Sequence, residues 1–141
     1  MKQRLLSFLG SSILLIFYIS FGCNTTFGQE VNDFYWLEKK PKELPVRVRG
    51  NLSTGKILLF IQGGLGEHGI DFATIDYWGL KKTLEPNIAI AYYDQRGLHK
   101  PKRKLKKEQI TLKQYSKDIQ SLILSLKKRY DADIWLMGHG V

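Results

Sequence analysis

Ile88-Ala89-Ile90-Ala91-Tyr92-Tyr93-Asp94-Gln95-Arg96-Gly97 passes from an unbroken apolar and aromatic run into a charged turn closed by glycine. A short run without alternation fits a strand buried on both faces, as at the centre of a parallel sheet. The same layout occurs on either side of it. Upstream, Ile57-Leu58-Leu59-Phe60-Ile61 leads into Gln62-Gly63-Gly64-Leu65-Gly66, and downstream, Ile134-Trp135-Leu136-Met137 leads into Gly138-His139-Gly140-Val141. Between the second and third runs, Thr111 with Gln114 spells a capping box, and Tyr115, Ile119, Leu122, Ile123 and Leu126 fall on one face of a helix. Lys127, Lys128 and Arg129 close that helix at the end where cations suit its dipole. A shorter helix is expected over residues 74–85, stopped by Pro86. Strand, helix, strand, helix, strand reads as an α/β fold with right-handed crossovers and a parallel sheet.

Ahead of this unit, Pro45-Val46-Arg47-Val48-Arg49 alternates apolar with charged, as a half-exposed antiparallel strand does, and turn residues from Gly50 to Gly55 follow it. Val31 to Lys42 reads as an irregular or short-strand lead-in, with Tyr35 and Trp36 packing on the sheet. No internal repeat and no low-complexity segment interrupts the chain.

The three loops that follow the apolar runs resemble those of α/β-hydrolases of the prolyl aminopeptidase type, in which an HGGPG loop, a DQRGxGxS loop and a GxSxGG nucleophile elbow follow consecutive strands. Tyr92 to Gly97 is the most specific match, and the likeness covers roughly residues 33–141. It implies a serine hydrolase, a peptidase or esterase, in which a serine attacks the scissile carbonyl, a histidine relays the proton and an acid orients the histidine. By the resemblance, Gly63, Gly64 and Val141 are candidates for the oxyanion hole. Asp94, Arg96 and Gly97 belong to a structural loop beside it, ion-paired internally.

The departures bear on activity. Gln62 replaces the motif histidine and Leu65 its proline; His99 and Pro101 stand where the second loop has glycine and serine. Gly140 occupies the nucleophile position, so no catalytic residue is assigned. The family's acid and base follow the elbow, beyond Val141. The expectation is therefore the N-terminal part of an exported hydrolase, truncated at the elbow and inactive as it stands, with peptide or ester substrates belonging only to a complete parent. A non-catalytic, envelope-anchored binding protein is the alternative. His139 precedes the nucleophile position and shapes the turn, whereas His68 and His99 have no acidic and serine partners at a recognisable spacing.

A lesser rival uses the same residues. Gly64-Leu65-Gly66-Glu67-His68-Gly69 spells GxGxxG after a strand, and Asp94 ends the next strand as a ribose-binding acid would, the pattern of a dinucleotide-binding Rossmann domain. It leaves the DQRG stretch unexplained, and Asp94 lies beyond the usual offset of roughly 20 residues. No cofactor is expected. Three scattered histidines and one cysteine give no metal-ligand pattern. The formal charge of +9 is concentrated in Lys100, Lys102, Arg103, Lys104, Lys106 and Lys107. Without interleaved aromatics this run reads as a solvated loop, not a nucleic-acid site.

At the N-terminus, Lys2 and Arg4 precede a charge-free apolar stretch from Leu5 to Phe21, the layout of a secretory signal. Cys23, in Ile19-Ser20-Phe21-Gly22-Cys23, follows it as in a loose lipobox. Residues 1–22 are assigned to the signal, 23–32 to a linker and 33–141 to a partial hydrolase domain. Lipidation of Cys23 would hold the exported chain at an envelope membrane. Cleavage before Gln29, or an uncleaved anchor, are the other routes this segment allows. A single cysteine excludes an intramolecular disulfide.

Overall fold

The computed structural model describes residues 29–39, 42–64, 68–76, 78–98 and 111–140. The signal-like segment with Cys23, Leu65 to Glu67 of the glycine-rich loop, His99, the lysine run and Val141 lie outside the described residues.

Eight elements follow one another: β1 (Glu30–Lys39), β2 (Lys42–Asn51), β3 (Lys56–Gln62), α1 (Gly69–Ile75), α2 (Leu80–Thr83), β4 (Ala89–Tyr93), α3 (Leu112–Tyr130) and β5 (Asp133–His139). The strands form one sheet in the order β1-β2-β4-β3-β5. β1 and β2 are antiparallel, β2 runs antiparallel to β4, and β3 lies parallel to both β4 and β5. The chain is thus a mixed α/β domain whose sheet carries helices on both faces.

Alternation along the strands sorts the core into two layers. Ile57, Leu59 and Ile61 of β3, with Ala89, Ala91 and Tyr93 of β4, pack under Leu122 and Leu126 of α3. Leu58 and Phe60, with Ile90 and Tyr92, meet Ile70, Phe72 and Ala73 of α1 and Leu80 of α2. Every residue of β4 is buried, which is why its sequence shows no polar side. Leu122 and Leu126 are fully buried, and each such side chain contributes about 1.5–3 kcal/mol relative to exposure.

Three elements differ from the sequence reading. The lead-in from Val31 is a full strand, β1. Its alternation is hidden because Asp33 shares the inner face with Val31 and Tyr35, where its carboxylate accepts from Tyr130 Oη at 2.7 Å and Arg129 Nε at 2.9 Å. The single helix expected over 74–85 is two short ones. Asp76 ends α1 in the left-handed region at φ 54°, and its Oδ1 then accepts from Lys81 N at 2.9 Å inside α2. The capping box is half made: Thr111 Oγ1 accepts from Gln114 N at 3.1 Å, but the Gln114 side chain donates to Asp118 instead.

Among the described residues no helix is long and apolar enough to cross a membrane. β5 is an outer strand of the described sheet, with Trp135 and Leu136 more than half exposed, at 54% and 55%. An open apolar edge recruits other strands, and a lysine on it blocks such pairing. The purified chain is therefore expected to self-associate, with light scattering that rises with concentration, and Leu136→Lys should reduce it. A variant that scatters as strongly as the parent would remove this edge from the account of self-association.

Candidate active site

The path from β3 to β4 turns to one side of β3, and the path from β4 to β5 crosses to the other. In open α/β sheets such a reversal leaves a crevice beyond the carboxyl ends of the strands, the usual place for ligands. Here the turns after β3 and β5 touch through their main chains. A Cβ on Gly63 would lie 2.6 Å from the His139 carbonyl oxygen and 2.8 Å from Gly140 Cα, so only glycine fits there. A Cβ on Gly140 would lie 3.3 Å from Gly63 Cα and 3.6 Å from Gly63 N, with Gly140 at φ +83°. A side chain at 140 is therefore possible in space, but only on a backbone that costs an L-residue roughly 1–2 kcal/mol.

The turn after β3 is pinned from three directions. Gln62 is fully buried, and its Nε2 donates to the Tyr93 carbonyl at 2.9 Å. The Gln62 carbonyl accepts from Tyr115 Oη at 2.7 Å, and Tyr93 Oη donates to Tyr115 Oη at 3.0 Å. Burial, reinforced by that hydroxyl pair, pushes the Tyr93 phenol well above the ordinary range. Gln95 Nε2 donates to the Gly64 carbonyl at 2.7 Å, tying the second loop to the first. Gln62, which stands in the place of the motif histidine, thus acts as a structural brace between β3 and β4.

Asp94 and Arg96 lie in one loop and point to different partners. Asp94 Oδ1 accepts from Ile70 N at 2.9 Å at the start of α1, and Oδ2 lies 3.2 Å from His68 Nδ1. Arg96 grips Asp118 of α3 with two donors, at 2.8 Å from Nη2 and 3.0 Å from Nε, and its Nη1 bonds Glu43 at the start of β2. Glu43 and Asp118 are both buried. Gly97 closes the loop at φ +89°. His68 meets an acid 26 residues away, at no spacing that sequence would mark, because the parallel strands bring their loops together. Asp118 could have been noticed as an acid on the apolar face of α3; Glu43 gave no such signal.

Beside the glycine contact stands an aromatic wall. The His139 ring lies 4.3 Å from Trp78 and 6.3 Å from Phe60, and Phe72 lies 5.1 Å from both Phe60 and Trp78. Trp78 remains partly exposed. His139 is thus oriented by ring packing at the rim of the crevice. Among the described residues no group of histidine, cysteine, aspartate and glutamate is arranged to hold a metal ion. Comparison with family models, with curated proteins and with solved structures returned no match to this chain.

Proposed function

We propose that residues 33–140 are the oxyanion-and-elbow half of a serine hydrolase resembling the prolyl aminopeptidases and related esterases, and that this chain by itself does not turn substrate over. The observation that carries the reading is the contact of Gly63 with Gly140 at the reversal point of the sheet. An acyl-transfer enzyme needs main-chain N–H donors next to a nucleophile that projects from a strained turn between strand and helix. The φ of +83° at Gly140 and the close approach of Gly63 to it support that reading. The placement of β3 between β4 and β5, as in the resembled sheet, adds support. So does the DQRG loop, whose Gln95 and Asp94 brace the turn after β3 and the start of α1.

Gly140 itself supports the second reading, a non-catalytic binding protein that keeps the crevice and its aromatic wall. The dinucleotide reading is the weakest, since both oxygens of Asp94 are engaged by His68 and Ile70 N and turn away from a ribose role.

Glycine offers no nucleophilic atom, and loss of the triad serine lowers turnover on the order of 10⁶-fold. The purified chain is expected to hydrolyse neither proline p-nitroanilide nor p-nitrophenyl acetate above background, and a fluorophosphonate probe should leave it unlabelled. Labelling at any residue would overturn the inactive assignment. The coding DNA after codon 141, read in all frames, should encode small residues, then strands ending in an aspartate and later a histidine. Finding none of these would overturn the hydrolase reading in favour of the binding protein.

A further inference from the structure

At the far end of the sheet from Gly63 and Gly140 there is a second cleft, of about 690 Å³, between β1, β2 and α2. Its location follows from the alternation of β2. Val46 and Val48 face the core under α3, so Arg47 and Arg49 project from the opposite face, beside Asn32 of β1. Among the described residues, α2 contributes Lys81 to this cleft, and Glu85 and Pro86 follow it there.

The charges in this cleft do not cancel. Arg49 Nη2 pairs with Glu85 Oε2 at 3.0 Å, and the other oxygen of Glu85 accepts from Tyr92 Oη at 3.3 Å. That acid is therefore fully committed. The Arg47 guanidinium and the Lys81 ammonium make no hydrogen bond or ion pair among the described residues, although both line the same cleft. The remaining acid, Glu30, is exposed at the rim. Two uncompensated cations converge on a polar cavity with room for more than an inorganic ion.

The geometry points to a binding site for a small phosphate monoester, held by Arg47 and Lys81 with Arg49 behind them. Charge selects the ligand class: a monoester carries about −1.5 to −2 at neutral pH, which two cations neutralise, whereas a simple carboxylate carries only one charge. The planar fork of Arg47 suits two phosphate oxygens, and Lys81 adds a mobile point charge. Glu30 opposes the ligand and limits its affinity. The site owes nothing to the crevice at Gly140, so it stands or falls independently of the hydrolase proposal.

The test is titration of the full chain with phenyl phosphate, followed by backbone amide NMR and calorimetry at constant ionic strength, with benzoate as the singly charged analogue. Shifts centred on Arg47, Arg49 and Lys81 are expected, with benzoate binding clearly more weakly. Lys81 and Glu30 are both exposed, so Lys81→Gln and Glu30→Gln leave the fold intact. Lys81→Gln should weaken phenyl phosphate roughly tenfold or more, the loss of one charged hydrogen bond. Glu30→Gln should tighten it by about two- to fivefold, as expected for removing a partly screened like charge. Absence of binding, equal affinity for benzoate, shifts centred on residues 100–107, or an affinity unchanged in both variants would each overturn the assignment.

Discussion

Gly69→Ala is expected to destabilise the domain by roughly 4 kcal/mol or more, enough to unfold much of a chain of ordinary stability. The added Cβ would stand 2.1 Å from the Tyr93 carbonyl oxygen and 2.8–2.9 Å from both polar atoms of the Gln62 amide. Neither neighbour can yield cheaply. The Tyr93 oxygen belongs to a buried strand and already accepts from Gln62, and moving Gln62 breaks that bond inside the core. The alternative, lifting the start of α1, detaches Ile70 N from Asp94. Urea unfolding followed by circular dichroism gives the loss. Gly138→Ala is the control, because a Cβ there meets nothing within 4 Å and the backbone is not left-handed. A Gly69→Ala unfolding free energy within about 1 kcal/mol of the parent's would show that α1 does not press on β4 in this way.

Arg96→Met is expected to cost about 3–5 kcal/mol, the range for removing one partner of a buried ion cluster. The guanidinium joins Glu43 at the start of β2 to Asp118 on α3, and both acids are more than nine-tenths buried, at 8% and 5% exposure. Methionine fills similar space and withdraws the guanidinium from both buried carboxylates. Arg96→Lys should recover only part of the loss, since an ammonium cannot reproduce the two-pronged grip on Asp118. Replacing all three residues, as Glu43→Gln, Arg96→Met and Asp118→Asn together, should cost less than Arg96→Met alone. If the triple variant is instead the least stable of the set, the penalty does not come from stranded charge.

The core of this fold could be read from the sequence wherever one pattern held without interruption. β4 and β3 showed as unalternating apolar runs, and α3 showed as a 3.6-residue stripe with a threonine cap and a basic end. β1 could not be read because Asp33 breaks its inner face, and its reason for being there is a tyrosine 97 residues later. The start of α1 ahead of the expected 74–85 helix has a similar cause, a distant partner. α1 begins at Gly69 because Asp94, 24 residues beyond Ile70, supplies an acceptor at its first turn. At the site, Gly63, Gly140 and the DQRG stretch could be marked in the sequence as loops that follow apolar runs. The partners of that stretch could not be: Glu43 lies 53 residues from Arg96, and only the sheet order sets that distance. Gly69 could be read only as the last glycine of a GxGxxG pattern, because the groups that crowd it, Tyr93 and Gln62, lie far away in sequence.

The strand order has a consequence for the chain as it is made. β2 and β3 are consecutive in sequence, yet neither is the other's neighbour, because β4 lies between them. The β1–β2 hairpin can pair as soon as both strands leave the ribosome. β3, apolar on both faces, has no partner until β4 follows. The 31 residues from Gln62 to Tyr93 take about 2–6 s to add at the usual ~5–20 residues per second. During that interval the nascent chain carries a hydrophobic strand without its sheet partner. When Tyr93 emerges, β4 closes on β2 and β3 together, so the middle of the sheet forms in one step.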